Sequence, residues 1–213
     1  MKKAVIFLNG DKSDVSRAKD CIDEQTLIIG CDGGTQHALN LGITPHVVLG
    51  DMDSISVALK KELEEKHVQF ISCPTKKDNT DAELAVLFAI KQGCKEIILT
   101  GILGTRIDHM LAVINMLANP KFKNINLRII EGNQDMHIVR KHITLIGKKG
   151  DIVSLIPINR NVFSITTQNL AYPLQDESLQ NYGTRGVSNV MTKNTAEVSL
   201  KNGILLIIQQ KGE

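Results

Sequence analysis

Tryptophan is absent from the 213 residues, and aromatic side chains make up only 3% of them. So few flat side chains offer little stacking surface for unpaired bases, which argues against a single-stranded nucleic-acid ligand. Aliphatic residues must fill the core instead. Charge of one sign is equally scarce. The 25 Lys and Arg stand against 23 Asp and Glu, and the net charge of +2 is too slight to imply a DNA or membrane partner. Cys21, Cys31, Cys73 and Cys94 form no C-x-x-C pair, which removes the spacing of a zinc site and of a disulfide framework. Apolar runs are short. The first, residues 4–8, stops at Asn9 and reads as a buried strand rather than a signal peptide. No run approaches the roughly 20 residues of a membrane span, so a cytoplasmic protein is expected. G-x-x-x-x-G-K-[ST], G-x-G-x-x-G and G-x-S-x-G are all missing. The first absence excludes a Walker P-loop, and the second weakens a dehydrogenase reading.

The composition that remains is ordinary for a globular chain, with 42% apolar residues and enough length for one large domain or two small ones. Two halves differ in period. Up to about residue 122, short apolar runs at 4–8, 26–30, 47–50, 68–71 and 96–100 alternate with helical patterns at 15–24, 35–41, 57–66, 81–92 and 108–119. Strands alternating with helices predict an α/β domain, a Rossmann-like parallel sheet covered on both faces. After Pro120 the pattern becomes all strand, at 126–130, 136–139, 142–146, 151–158, 162–167, 197–200 and 203–209. This predicts an antiparallel β-sandwich or barrel. Asn202-Gly203 adds a hairpin signal. The expected domains are residues 1–122 and 123–213.

Ligands of an open parallel sheet bind outside the carboxyl ends of its strands, and four strand-to-helix turns there carry Asp. In Asp32-Gly33-Gly34 the glycines permit close backbone approach and the next helix offers N–H groups to an anion, although a plain turn explains the same residues. In Asp51-Met52-Asp53-Ser54, residues two apart on extended chain face one way. Two carboxylates that close repel unless a cation lies between them, and Mg²⁺ suits such oxygens. Capping of the next helix by Asp53 or Ser54 is the plainer reading, but it uses one acid and not two. Thr80 and Glu83 form a capping box in which Asp81 suits the first turn; that box does not need Lys77 or Asp78. In Gly101-Ile102-Leu103-Gly104-Thr105-Arg106-Ile107-Asp108-His109, Arg106 offers a fork for phosphate oxygens, and Asp108 suits a cap or a nucleotide. His109 alone would be an ordinary helix-start histidine.

In order and spacing the four turns resemble the thiamine pyrophosphokinase family. Leu170-Ala171-Tyr172-Pro173-Leu174 and Gly186-Val187-Ser188-Asn189 are similar to further motifs of that family. The resemblance implies an ATP-binding α/β domain and a thiamine-binding β domain. It also implies a homodimer in which thiamine lies between the α/β domain of one subunit and the β domain of the other. It assigns Asp51, Asp53 and Asp81 to Mg²⁺, and Asp32, Gly33, Gly34, Thr80, Arg106, Asp108 and His109 to ATP. Tyr172, Ser188 and Asn189, with Lys77 and Asp78, go to thiamine.

The implied reaction is attack of the thiamine hydroxyl on the β-phosphorus of ATP, with AMP leaving. Phosphoryl transfer of this kind is mostly positioning and charge neutralisation, which three carboxylates with Mg²⁺ and Arg106 would serve. No general base is identified; Asp53, Asp78 and Asp81 are all candidates for accepting the proton late. The alternatives are a pyrophosphokinase acting on a hydroxymethyl pterin, a nucleotide-binding sensor without turnover, and a phosphatase.

Overall fold

A computed structural model describes residues 2–73 and 78–212. The chain divides into two compact units, Met1–Gly132 and Asn133–Glu213.

In the first unit, six parallel strands form the core: β1 (Lys3–Phe7), β2 (Leu27–Cys31), β3 (Val47–Gly50), β4 (Gln69–Ser72), β5 (Glu96–Thr100) and β6 (Asn126–Glu131). Their order across the sheet is β4-β3-β2-β1-β5-β6. Ala4 to Phe7 and Ile97 to Leu99 are wholly buried, without alternation, as strands covered on both faces must be. Four α-helices connect them: α1 (Gly34–Asn40), α2 (Val57–Glu65), α3 (Asp81–Lys91) and α4 (Ile107–Met116). Helix α3 buries Ala82, Ala85, Val86 and Ala89, small residues that let it lie close against β1, β2 and β3. The segment expected as a helix over 15–24 is a 3₁₀ turn, Ser16–Cys21, in which only Ala18 is buried. So little buried surface needs no longer helix.

Strand β6 corrects the sequence reading. Its residues were expected in the antiparallel half, yet Asn126 to Ile129 pair in parallel with Glu96 to Leu99. Composition marks a strand but not its partner. The crossover through α4 is what returns the chain parallel to β5.

The second unit holds eight strands in two antiparallel sheets: β7 (Gln134–Val139), β8 (His142–Ile146), β9 (Ile152–Pro157), β10 (Val162–Gln168), β11 (Glu177–Leu179), β12 (Asn189–Val190), β13 (Thr195–Ser199) and β14 (Leu205–Gln210). One sheet runs β12-β9-β14-β7, the other β11-β10-β13-β8. Val153, Leu155, Leu205 and Ile207 of the first join Leu145, Ile165, Ala196 and Val198 of the second in one apolar cluster. β11 and β12 are too short to register as periodic strands in the sequence. Asn202-Gly203 does not close a hairpin. β13 pairs with β8 and β10, whereas β14 pairs with β7 and β9, so the turn carries the chain between sheets. There the Phe163 and Asn202 backbones bridge, and Gly203 takes φ +113°. No described helix is long and apolar enough to cross a membrane.

Asp151 is the polar anchor of this unit. Its buried carboxylate accepts from Gln209 Nε2 at 2.9 Å, Lys148 N at 3.0 Å and Gly212 N at 3.1 Å. Burial pushes its pKa up, but these N–H donors and nearby Lys211 outweigh it, so the net shift is downward. Its contribution to stability is therefore complete above the ordinary value of 3.8 and declines as pH falls through the lowered native value. Asp151→Ala strands three donors and should cost about 1–3 kcal/mol in urea unfolding at neutral pH. A change within a few tenths would show that the anchor is incidental.

Candidate active site

The strand order of the first unit reverses between β1 and β5, the place where an open α/β sheet leaves a crevice. A cleft of about 650 Å³ lies there. Its walls come from Leu8 to Asp11 after β1, from Cys31 and Asp32 at the end of β2, and from Gly101, Ile102 and Gly104 to Arg106 after β5. Ser54, Thr80, Asp81 and Ala82, with His109 and Val113 of α4, complete them. Of the residues singled out in the sequence, Asp32, Thr80, Asp81, Arg106 and His109 therefore meet in one cavity. Gly33, Gly34, Asp51, Asp53, Asp78 and Asp108 are not on its walls, and Lys77 lies outside the described residues.

Asp32 is the electrostatic centre. Its Oδ1 accepts from the Met52 N–H at 3.2 Å, which ties the end of β2 to the turn after β3. Gly50 makes room for it: a Cβ at Gly50 would fall 1.7 Å from Asp32 Oδ1. Burial pushes the Asp32 carboxyl up to about 6. The Met52 N–H opposes that, and the charges of Asp81, Asp51 and Asp53 add to it. Four carboxylates thus share one field, although only two of them line the cleft.

Asp51 and Asp53 reach this neighbourhood by a different geometry from the one expected. The segment is not extended, because Met52 turns through φ +68°, a conformation that costs an unbranched side chain on the order of 1 kcal/mol. The Asp53 N–H closes onto Asp51 Oδ1 at 3.2 Å, and the Ser54 hydroxyl donates to Asp53 Oδ1 at 2.9 Å. Neither Asp53 nor Ser54 caps the following helix. Ser56 does, accepting from the Leu59 N–H at 3.2 Å. The strained turn therefore has no capping role to account for it.

The capping expectation at Thr80 is met, since its hydroxyl accepts from the Glu83 N–H at 3.3 Å. The cap fixes the start of α3 and with it Asp81. Gly33 and Gly34 have a packing reason to be glycine: Cβ atoms there would lie 2.3 Å from Asn9 Oδ1 and 2.2 Å from the Phe7 carbonyl. Their close approach is to the chain itself. The first N–H groups of α1 are also occupied, Thr35 N by Asp32 O and Gln36 N by Gly33 O.

Arg106 and Asp108 form a two-point ion pair, Nε to Oδ1 at 3.0 Å and Nη2 to Oδ2 at 2.7 Å. Both side chains are about two-thirds exposed, at 66% and 63%. The Arg106 hydrogen bond holds the Asp108 carboxyl at about 2 and raises Arg106 in return. The pair uses one edge of the guanidinium, leaving Nη1 and its protons for another anion.

One turn escaped the sequence reading. Asn9-Gly10-Asp11 follows β1 and contributes three residues to the cleft. Asp11 accepts from the Thr105 N–H at 2.8 Å and the Thr105 hydroxyl at 3.3 Å. The Gly10 N–H binds the Gly101 carbonyl at 2.8 Å, and His37 Nε2 lies 3.0 Å from the Gly10 carbonyl. An Asn-Gly-Asp triplet directly after the first apolar run is the signal that was available.

In the second unit, Tyr172, Ser188 and Asn189 come together. Asn189 is buried, and its amide is spent on the Tyr172 backbone: the Tyr172 N–H donates to Oδ1 at 3.0 Å and Nδ2 donates to the Tyr172 carbonyl at 2.7 Å. It holds the Tyr172 segment, and its oxygen also accepts from the Val190 N–H at 2.9 Å. Tyr172 is 72% exposed, and exposed Ser188 takes φ +60° with its N–H on Ser154 Oγ at 3.1 Å.

With this geometry described, comparison with known proteins is direct. Residues 18–129 match the thiamin pyrophosphokinase catalytic domain, and residues 136–205 match the thiamin pyrophosphokinase vitamin B1 binding domain. A thiamine pyrophosphokinase of Bacillus subtilis (strain 168) is 29% identical over 211 residues, spanning 98% of this chain and 99% of that protein. The crystal structure of thiamine pyrophosphokinase from Bacillus subtilis superposes with a TM-score of 0.89 at 28% identity, each chain fully covered. A thiamin pyrophosphokinase from Candida albicans shares the fold at 15% identity, with a TM-score of 0.83 over 99% of this chain and 89% of that one. The catalytic-domain match alone covers more than half of the sequence, and the chain belongs to the thiamin pyrophosphokinase family.

Proposed function

We infer that the chain is an ATP-dependent thiamine diphosphokinase, which converts ATP and thiamine into AMP and thiamine diphosphate. The observation that carries this reading is the pairing of two matched stretches, a catalytic domain over 18–129 and a vitamin B1 binding domain over 136–205. The second stretch favours thiamine over a pterin. In the reaction the thiamine hydroxyl oxygen bonds to the β-phosphorus of ATP. The bond from that phosphorus to the α–β bridging oxygen breaks, and AMP leaves with that oxygen. The hydroxyl proton passes to solvent or to a neighbouring carboxylate. An assay with purified protein, ATP, Mg²⁺ and thiamine should yield AMP and thiamine diphosphate in equal amounts. Release of ADP, or no product, would reject the reading.

The residues then take the following roles. The cleft at the switch point receives ATP against Asp32, Thr80, Arg106 and His109. Asp108 aims Arg106, whose free edge faces phosphate oxygens. Asp51, Asp53 and Asp81 are the acids for Mg²⁺, which when bound would neutralise diphosphate charge. Among the described residues, no three His, Cys, Asp or Glu side chains already stand as a metal cluster. The fit rests instead on Asp32 lying in the field of Asp81, Asp51 and Asp53, a donor set suited to a cation that needs only one or two carboxylates plus substrate phosphates. Tyr172 and Ser188 are the exposed groups for thiamine. We further place the protein in the cytoplasm as a homodimer.

Without divalent cations, native Asp32 holds its proton up to about 6 against an ordinary 3.8. The folded state therefore binds more protons than the unfolded one between these values, and stability falls as pH rises from about 4 to about 6. Discounted for the half-exposed setting, the loss is on the order of 1 kcal/mol. Added Mg²⁺ should restore melting temperature at pH 7.5 and do little at pH 4.5, and Asp32→Asn should flatten the slope. Equal Mg²⁺ effects at both pH values would remove the cation from this cluster.

Arg106→Lys replaces a fork with a point charge, so it can neither keep both Asp108 bonds nor present a second edge. We expect kcat/KM for ATP to fall at least about tenfold, the equivalent of one charge-assisted hydrogen bond. Unchanged kinetics would take Arg106 off the phosphates.

Sharing of sites between subunits is tested by mixing. Asp53→Asn subunits and Tyr172→Ala/Ser188→Ala subunits, each folded, dimeric and inactive alone, should regain activity together, up to about half per mixed dimer. Failure to recover despite subunit exchange would place each site within one chain.

A further inference from the structure

The functional assignments leave Glu131, a buried carboxyl beside the cleft, unused. Glu131 ends β6 and is 2% exposed. Its Oε2 accepts from two consecutive backbone N–H groups, Gly101 and Ile102, both at 2.9 Å. Its Oε1 accepts from the Asp14 N–H at 2.8 Å. Next to it, the Gly132 N–H binds the Asp14 carbonyl at 2.7 Å and Arg17 Nη1 binds the Gly132 carbonyl at 2.9 Å. One carboxylate therefore joins the loop after β1 to the turn after β5, and both line the cleft on the other side.

A neutral amide side chain has only one oxygen for these three donors. Glycine at 101 sits at φ +84°, and a Cβ there would fall 2.3 Å from the Leu8 carbonyl oxygen, so the turn has no side chain of its own to hold it. Two adjacent N–H groups pointing one way need an acceptor with two lone-pair directions and charge enough to repay burial. Burying a carboxylate costs several kcal/mol when it is uncompensated. Three amide donors offset part of that cost, although burial still holds the Glu131 carboxyl above its ordinary value, and the offset is lost if the turn moves.

We propose that Glu131 is a positioning residue of the nucleotide cleft: by clamping the Gly101-Ile102 amides it sets the turn that carries Thr105 and Arg106, and with it the affinity for ATP. This rests on the reading of the cleft as the ATP site. The clamp itself is an intramolecular contact and can be measured without nucleotide.

Glu131→Ala removes both acceptor oxygens, so the Gly101, Ile102 and Asp14 amides all lose their partner and the clamp opens. Two measurements on the full-length protein judge it. In hydrogen exchange, the Gly101 and Ile102 amides should exchange at least about tenfold faster than in wild type, while amides of β14 stay unchanged. In steady-state kinetics, KM for ATP should rise about tenfold while KM for thiamine stays within twofold. Should the alanine variant not fold, Glu131→Asp, one methylene shorter, should give the same split in milder form. Unaltered exchange at Gly101 and Ile102 overturns the proposal. So does faster exchange that spreads equally to β14, or a fall in kcat with KM for ATP unchanged. If wild type proved unable to bind ATP, the functional reading would fail and so would the ATP part of this proposal. The exchange rates would still decide whether Glu131 holds the turn.

Discussion

Asp32 stands where β2 ends, against a backbone that leaves no room for a side chain at Gly50, and three other carboxylates act on it. Much of the first unit serves that crowding. The left-handed Met52, the Ser56 cap that frees Asp53 and Ser54 from capping duty, and the Thr80 cap that seats Asp81 all bring acids toward a common field. Like charges held this close are unfavourable in the absence of a counter-charge, and backbone strain is commonly stored where function requires it. The fold thus holds local repulsion that a bound cation would relieve.

The crevice beside these acids has a topological origin. Strand order reverses between β1 and β5, so the segments leaving these neighbouring strands diverge. The gap is then braced by polar contacts and not by packing. Asp11 holds Thr105, Gly10 meets Gly101, and Glu131 binds Gly101 and Ile102 from below. A crevice built from glycine-rich turns needs such bracing, because glycine offers close approach but contributes no side chain to packing.

The second unit solves a separate problem. Its short strands share one aliphatic core, and Asp151 with Gln209 fixes the chain end to the turn before β9. Asn189 looked like a ligand contact in the sequence and proves to be a bracket for the Tyr172 backbone. A motif residue can thus serve a site by holding its neighbour. A linear pattern does not distinguish a side chain that meets a ligand from one that positions the residue that does.

By itself the sequence determined most of the element types, the change from mixed to all-strand pattern, and the carboxylate-bearing turns, because these depend on local periodicity, turn chemistry and apolar runs. Asp32, Asp81 and Arg106 were legible for that reason, Thr80 was legible as a cap, and His109 entered only through the family resemblance; the structure brings all five into one cleft. Tertiary structure alone decided which strands become neighbours. β6 joined β5 in parallel, and Asn202-Gly203 crossed between sheets instead of closing a hairpin. It also decided what each polar group has left to offer: Asp108 is bound to Arg106, and Gly33 and Gly34 are packed on β1 and the turn after it. Glu131 was invisible for the same reason. A lone glutamate at the end of an apolar run carries no local signature, and its role exists only because strand pairing brings it within 2.9 Å of two amides 30 and 29 residues away.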